Sequence, residues 1–182
     1  YSISEIDVYK SAAKMAIKNG YRKPKIVMLK DQQQKPISYI QSKAIRHPII
    51  EKIQNDVEYV PNDIVLGHPD NKLDGMLLYG VNASGKSSLM KSVGLNIILA
   101  QAGFYVAAEE FIFYPYEYIF TRIGNLDNLF KGQSTFAVEM SELRSILKRS
   151  NSNSLILGDE LCSGTEWISG QSIVASGIIS LA

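Results

Sequence analysis

One segment restricts the fold of this chain more than any other, the eight residues Gly80-Val81-Asn82-Ala83-Ser84-Gly85-Lys86-Ser87. An apolar run at residues 75–79 precedes it, and a long apolar stretch of helical character runs from Lys86 to about Ala102. Glycines at this spacing let successive backbone N–H groups curl around an anion at the amino terminus of the following helix. The pattern predicts a strand, a phosphate-binding loop and a helix. A Gly- and Ser-rich turn without a ligand is the alternative.

The chemistry of the loop gives its polar side chains distinct roles. Lys86 would neutralise the β and γ phosphates of ATP, and the Ser87 hydroxyl would be a ligand of Mg²⁺. The predicted nucleotide-binding residues of the loop are Gly80, Val81, Asn82, Ala83, Ser84, Gly85, Lys86, Ser87 and Ser88. These features predict a P-loop NTPase that uses ATP and Mg²⁺.

A second apolar run, at residues 155–157, ends in Gly158 and two carboxylates, Asp159 and Glu160. Neighbouring residues of a strand point to opposite sides, so the two acids can take different tasks at its carboxyl end. Asp159 would hold Mg²⁺, directly or through water, and Glu160 would orient and deprotonate the water that attacks the γ-phosphate. Glu160 and Lys86 are therefore the predicted catalytic residues. An acidic strand end facing solvent is the alternative.

The order of elements predicts an α/β fold. Helices are expected at residues 3–19, with a Ser2–Glu5 capping box and a stop at Gly20, and at 86–102, 134–149 and 166–182. Strands are expected at residues 25–29, 37–40, 56–65, 75–79, 118–122 and 154–157. Alternating strands and helices favour an ABC-ATPase-like P-loop NTPase, with a mostly parallel sheet flanked by helices plus a small antiparallel layer. The last helix lacks a stop signal, so we expect a fold truncated at its carboxyl terminus.

Composition narrows the classes of partner and site. The chain has 182 residues, a formal net charge of +1, one cysteine and two histidines. One cysteine and two histidines exclude an internal disulfide and a Cys/His zinc cluster. The small net charge disfavours a domain that binds nucleic acid mainly through its overall positive charge. A basic cluster comprises Arg22, Lys23, Lys25 and Lys30, which either touch phosphates or form a solvated surface. We expect an intracellular protein without a membrane partner, because no apolar run has the length of a membrane span.

Several further motifs agree in order and spacing with one family. Besides residues 80–88, they are Arg46-His47-Pro48 with Glu51, Phe120-Thr121-Arg122-Ile123-Gly124, Asp127, Gly132, Ser134-Thr135-Phe136, Glu139-Met140, Asp159-Glu160 and Gly164-Thr165. With them the chain resembles the ATPase domain of the MutS DNA mismatch-repair family over almost its whole length. The resemblance implies that residues 1–22 are the end of a lever or connector helix and that residues 23–182 are the P-loop ATPase domain. Ser163 stands where the family has a basic residue, which indicates a divergent branch.

The resemblance also implies roles that the residues alone leave open. Ser134 would reach the γ-phosphate bound by a partner subunit, and a plain N-cap of the helix at 134–149 is the alternative. Tyr59 would stack on adenine, unless it is simply a core aromatic. Asn82 could add a side-chain donor near the γ-phosphate.

Four other residues have simpler interpretations. Arg122 is at least as well suited to a structural ion pair as to an arginine finger. His47 is expected to be packed or capping, Cys162 to be a partly buried thiol, and Trp167 to be an anchor of unknown purpose.

The expected function is that of an ATP-binding and hydrolysing motor domain in a MutS-like mismatch-repair or DNA-structure-binding protein. Such a protein would form a dimeric clamp with shared ATP sites, made of identical or different MutS-like subunits, and would contact DNA through its other domains. An ABC-type ATPase serving chromosome structure or transport is one alternative, although no Leu-Ser-Gly-Gly-Gln motif is present. An ATP-gated DNA-binding scaffold with little hydrolysis is the other.

Overall fold

The structure, a computed structural model, describes residues 2–27, 37–53, 58–70, 73–123, 135–162 and 166–181. It comprises two compact units, residues 1–115 and residues 116–182. The elements of the first unit are α1 (Ile3–Asn19), β1 (Lys25–Ile26), β2 (Tyr39–Ile45), α2 (Ile50–Ile53), β3 (Asn62–Leu66), α3 (Lys86–Gln101) and β4 (Glu110–Tyr114). Those of the second are β5 (Tyr118–Arg122), α4 (Thr135–Arg149), β6 (Ser154–Gly158) and α5 (Trp167–Leu181).

The first unit contains a four-stranded sheet in the order β1-β4-β2-β3. Strand β2 pairs antiparallel with both β3 and β4, and β1 pairs parallel with β4. Ile40 lies opposite Phe113 in one ladder and Leu66 in the other, and both Ile40 and Phe113 are fully buried. The predicted antiparallel layer is therefore confirmed for β2 and β3, but it is wrong for β1, which pairs parallel with β4. Strand β4 was missed, and it makes this sheet mixed instead of mostly parallel.

The predicted amino-terminal helix forms as α1. The Glu5 carboxylate accepts a hydrogen bond from the Ser2 N–H at 2.8 Å, and Gly20 ends the helix in a left-handed conformation. Ala16 is the one buried residue of α1, whereas Ile3 and Ile17 are exposed. Caps and helical propensity therefore define this helix, and its apolar spacing does not mark a buried face within the described structure.

The strand predicted over residues 75–79 is not formed. The described segment 73–80 has no strand pairing, and Leu77 and Tyr79 are 74% and 91% exposed. A strand needs a neighbouring chain to satisfy its N–H and C=O groups, and apolar composition alone does not provide one. The prediction is wrong for this structure, although the segment leads into the glycine-rich loop as expected.

The second unit is built on the parallel pair β5 and β6. The register runs from Tyr118 opposite Ser154 to Arg122 opposite Gly158, so both strands end at the same edge. Both strands lie where the sequence predicts them, and helix α4 lies between them in the chain, as in a βαβ unit. This pair carries the parallel pairing that the sequence predicts.

Helix α4 buries a face slightly different from the predicted one. The expected face consisted of Phe136, Met140, Leu143 and Leu147. In the structure Glu139 and Ile146 are the buried members, and Leu147 is 37% exposed. The buried Glu139 forms an ion pair with Arg122 at 3.1 Å.

Among the described residues, no helix has the length and apolarity needed to cross a membrane.

Candidate phosphate-binding loop and acidic strand end

The glycine-rich loop forms a compact exposed turn directly before α3. The Ser84 N–H donates a hydrogen bond to the Val81 carbonyl at 3.3 Å. Gly85 has a φ of 93°, which is strained for residues with a side chain, and Ala83 adopts a left-handed φ of 63°. The left-handed conformation costs a residue with a Cβ about 1–2 kcal/mol. Strain of this kind is typical of segments held in a particular shape for a ligand.

Lys86, the first residue of α3, has its ammonium group inside this loop. Its Nζ donates to the Gly80 carbonyl at 2.9 Å and to the Val81 carbonyl at 2.8 Å. The first N–H bond of the helix runs from Leu89 to the Gly85 carbonyl, so the preceding amide N–H groups have no acceptor within the helix. Amide donors at a helix amino terminus, an ammonium group and nearby serine hydroxyls form a donor set suited to a phosphate chain.

A buried polar residue that was not predicted from the sequence holds helix α3 against neighbouring segments of the first unit. Asn96 is fully buried, and its Nδ2 donates to the Arg46 carbonyl at 3.0 Å and to the Ser92 carbonyl at 2.8 Å. Its Oδ1 accepts a hydrogen bond from the Ala107 N–H at 2.7 Å. The available signal was a pair of polar residues, Ser92 and Asn96, one turn apart in an apolar helix.

The segment after β2 connects this helix to α1. Arg46 Nε pairs with Glu51 Oε2 at 2.7 Å, and Arg46 Nη2 donates to the Asn19 carbonyl at 3.2 Å. The Tyr21 hydroxyl donates to Glu51 Oε1 at 2.9 Å, and burial together with that carboxylate raises the Tyr21 pKa. Since Asn96 holds the main chain of Arg46, a continuous set of contacts runs from α3 to the end of α1.

His47 acts as a cap, as predicted. Its ring is buried, and Nδ1 accepts hydrogen bonds from the Ile49 and Ile50 N–H groups at 3.2 and 3.1 Å. Burial lowers the His47 pKa, and the Lys91 ammonium lowers it further. The ring is therefore a neutral acceptor at the start of α2.

Tyr59 is half-buried, with its hydroxyl end directed at α3. Burial raises the Tyr59 pKa, and hydrogen bonds with the Ser92 side chain and the His47 main chain oppose that rise. Tyr59 thus lies beside helix α3, near Ser92 and His47. Adenine stacking by Tyr59 stays a prediction.

The two predicted acids follow β6 in a tight turn of the second unit. The Asp159 N–H donates to the Arg122 carbonyl at 2.8 Å, so the end of β6 is tied to the end of β5. Glu160 is exposed and has a φ of 48°, and Cys162 is buried with a φ of 61°. Two left-handed residues with side chains within four positions mark this turn as strained. The predicted buried thiol of Cys162 is confirmed.

Arg122 forms the structural ion pair that the sequence suggested as an alternative to an arginine finger. Its Nη2 lies 3.1 Å from Glu139 Oε1, and its Nε lies 2.8 Å from Glu142 Oε2. Both acids belong to α4, and Glu139 is almost completely buried. Charge-assisted contacts of this kind are strong where solvent is excluded.

The site residues predicted from the sequence divide between the two units. The loop residues 80–88 and Tyr59 lie in the first, and Asp159 and Glu160 lie in the second. Ser134 lies outside the described residues, as do Asp127, Gly132, Ser163, Gly164 and Thr165. Trp167 is the first residue of α5, and the structure describes its main chain only.

Comparison with known proteins identifies the family. Residues 76–182 match the family described as MutS domain V. A mitochondrial DNA mismatch repair protein mutS homolog of Sarcophyton glaucum is 47% identical over 176 residues, which cover 97% of this chain and 17% of that protein. DNA mismatch repair protein MutS of Prochlorococcus marinus is 41% identical over 176 residues, covering 96% of this chain and 18% of that protein. MutS of Fusobacterium nucleatum is 41% identical over 174 residues, covering 96% and 18%. The chain thus spans less than a fifth of the length of these relatives, and it belongs to the MutS DNA mismatch-repair family.

Proposed function

We propose that this chain is the ATP-binding and hydrolysing motor domain of a MutS-like mismatch-repair protein. One observation carries the proposal most directly, the placement of the Lys86 ammonium inside a strained exposed loop at the amino terminus of α3. A cation held by two carbonyl groups can exchange them for phosphate oxygens without moving the helix. Membership of the MutS family disfavours the ABC-type alternative.

In this proposal the first unit binds the triphosphate. Amide N–H groups of residues 80–88 would surround the phosphates, and Lys86 would balance charge on the β and γ groups. The Asn82 side chain would add a donor near the γ-phosphate, and Tyr59 would flank the base. Residues 80–88 can bind the phosphates in this way only if α3 keeps its position, and the hydrogen bonds of the buried Asn96 hold it there.

The second unit would supply the acids of the reaction. Ser87 and Asp159 are the proposed ligands of Mg²⁺, an ion that prefers oxygen ligands and draws charge from the phosphate oxygens when bound. Glu160 would accept the proton of the attacking water. Its exposed carboxylate, at the end of a strand and fixed by a strained turn, suits that task.

The proposed assembly is a dimer of MutS-like subunits, identical or different, inside the cell. Ser134 of each subunit would complete the ATP site of the other, which would couple ATP binding to closure of the dimer. Residues 1–22 would be the end of a lever or connector helix and residues 23–182 the ATPase domain. DNA contact would belong to other domains of the full-length protein.

Two substitutions in the full-length protein test the proposal. Glu160→Gln should bind ATP with an affinity near that of the wild type but lower kcat by about 100-fold or more, because the general base is lost. Lys86→Ala should instead weaken ATP binding by about 10-fold or more, because charge-assisted hydrogen bonds to phosphate are removed. Equilibrium binding of labelled ATP and steady-state phosphate release measure the two effects.

Glu109→Gln is a matched control, since Glu109 is an exposed glutamate of the first unit. It should leave both quantities unchanged. Unchanged turnover in Glu160→Gln would refute the assignment of the base. ATP binding by the wild type without phosphate release would favour the ATP-gated scaffold instead.

A further inference from the structure

Arg122 holds two different elements of the second unit, one through its main chain and one through its side chain. Its carbonyl accepts the Asp159 N–H at 2.8 Å, at the start of the acidic turn. Its guanidinium contacts Glu139 at 3.1 Å and Glu142 at 2.8 Å, both on α4. The helix and the turn are therefore joined through a single residue at the end of β5.

The pairing with Glu139 is rigid for an electrostatic reason. The Glu139 side chain is 4% exposed, and Arg122 is 13% exposed. Among the described residues, the second carboxylate oxygen Oε2 of Glu139 is buried without a hydrogen-bond partner. Separating the pair would leave a buried charge with little compensation, which is far more costly than parting an exposed pair. If α4 moves, Arg122 is therefore expected to move with it.

The acidic turn is packed against the same pair. Leu161 and Cys162 line a small cavity together with Arg122 and Glu139. Burial raises the Cys162 pKa, and the Glu139 carboxylate raises it further. Glu160 lies between Asp159 and Leu161 in the chain and has a left-handed φ of 48°, a conformation that usually persists only where the surrounding structure supports it. A shift of the Arg122–Glu139 pair would thus alter the direction of the Glu160 carboxylate.

We propose that Arg122 is a positioning residue that transmits movements of α4 to the Asp159–Glu160 turn. A nucleotide held by the partner subunit at the start of α4 would then adjust the general base of this subunit. The inference rests on the proposed function, because it assumes that Glu160 is the base and that the start of α4 faces the partner's phosphate.

The test uses the full-length protein with Arg122→Gln and Arg122→Lys. Arg122→Gln should keep ATP affinity within about two-fold but lower kcat about 10- to 100-fold, the loss typical of a misplaced catalytic group. Arg122→Lys keeps a charge for Glu139 but cannot reach both acids in the same planar geometry, so it should restore part of kcat. A residue that only stabilised the fold would lower the active fraction and leave the kcat of the folded protein unchanged.

Alkylation of Cys162 provides a second readout. It is the only cysteine of this chain, and its modification by iodoacetamide can be followed by mass spectrometry of its peptide. In the wild type, ATP with Mg²⁺ should change the alkylation rate by about three-fold or more, because α4 and the turn move together. In Arg122→Gln the rate should be higher and independent of ATP.

Two further variants keep the inference falsifiable if Arg122→Gln is unstable. Glu139→Gln, nearly isosteric, should reproduce the loss of kcat and of ATP-dependent alkylation. Lys43→Gln, which breaks an exposed ion pair with Glu110 in the first unit, should change neither. Wild-type kcat together with ATP-dependent alkylation in Arg122→Gln and Glu139→Gln would overturn the inference. If Glu160→Gln is inactive while Arg122→Gln and Glu139→Gln behave like the wild type, the inference fails and the proposed function stands. An active Glu160→Gln would instead refute the assignment of Glu160 as the base, on which the inference rests.

Discussion

Asn96 and Arg46 are joined by a hydrogen bond of 3.0 Å between the Asn96 Nδ2 and the Arg46 carbonyl, fifty residues apart in the chain. The bond fixes the helix that follows the glycine-rich loop to the segment that also holds the end of α1. If a change at the loop shifts α3, the main chain at Arg46 should shift with it. Because the Arg46 side chain contacts the Asn19 carbonyl, this movement would reach the end of α1.

Replacing Asn96 should destabilise the first unit. Asn96→Leu leaves the buried Ala107 N–H and the part-buried Arg46 carbonyl without their partner, and a buried unsatisfied group costs about 1–3 kcal/mol. Hydrogen exchange of the full-length protein should show faster exchange at Ala107 and along α3. Asn62→Ala, which removes a local contact to the Val60 carbonyl, is the control and should have little effect. Unchanged protection in Asn96→Leu would contradict the role assigned to this residue.

The protonation state of His47 should make the stability of the first unit depend on pH. The folded pKa of His47 is lowered by burial and by Lys91, so the unfolded chain binds more protons below the ordinary pKa of about 6.5. Stability is therefore fully present above that pH, falls as the pH drops towards the folded pKa, and then levels off.

The measurement for His47 is amide exchange of residues 46–53 between pH 5 and pH 8, after correction for the intrinsic exchange rate. His47→Asn can accept the same N–H bonds at the start of α2 without titrating, so it should lack this pH dependence. An identical profile in the variant would show that another group is responsible.

Gly158 should be intolerant of a side chain. A Cβ there would lie 2.9 Å from Leu161 Cδ1 and 3.2 Å from its Cγ, so the Leu161 side chain, which follows the acidic pair, would have to shift. Gly158→Ala should lower kcat by about 10-fold with ATP binding preserved, since the displaced Leu161 side chain adjoins the turn that we propose to be catalytic. Adding Leu161→Ala should restore part of the activity by removing the clash.

Gly177→Ala is the matched control for this clash. Its Cβ would lie at an ordinary 3.8 Å from Leu143 Cδ1, and alanine favours a helix by about 0.5–1 kcal/mol over glycine. Wild-type kcat in Gly158→Ala would show that the turn absorbs the extra methyl group.

Shared ATP sites should be visible when two inactive variants are mixed. Lys86→Ala disables the loop of its own subunit. Ser134→Ala removes the contact that we propose Ser134 makes with the partner's nucleotide. A mixed dimer then retains one complete site, so random mixing should yield about a quarter of wild-type turnover for a two-fold symmetric pair. Turnover no greater than the sum of the separate variants would refute sharing between subunits.

Much of the secondary structure and several local interactions were predictable from short-range patterns. The capping box and Gly20 predicted α1, and the alternation of strands and helices along the chain predicted β5 and β6. His47 was expected to be a packed or capping residue, and its Nδ1 accepts hydrogen bonds at the start of α2. These features depend on residues close in the chain, so the sequence contains their cause.

The missed features depend on distant partners. Strand β4 became part of the first sheet because β2 lies beside it, and the apolar run at 75–79 formed no strand because nothing pairs with it in the described structure. The role of Asn96 was invisible for the same reason, since its partners at Arg46 and Ala107 are close only in the folded chain.

The sequence by itself determined the glycine-rich loop, the acidic pair after β6 and membership of the MutS family, because each depends on residue types at set spacings. Only the tertiary structure decided that Lys86 lies within the loop, that Asn96 holds α3, and that Arg122 joins α4 to the turn bearing Asp159. The reason is physical. Residue spacing specifies which groups are available, whereas burial and the approach of distant main-chain segments determine which of them meet.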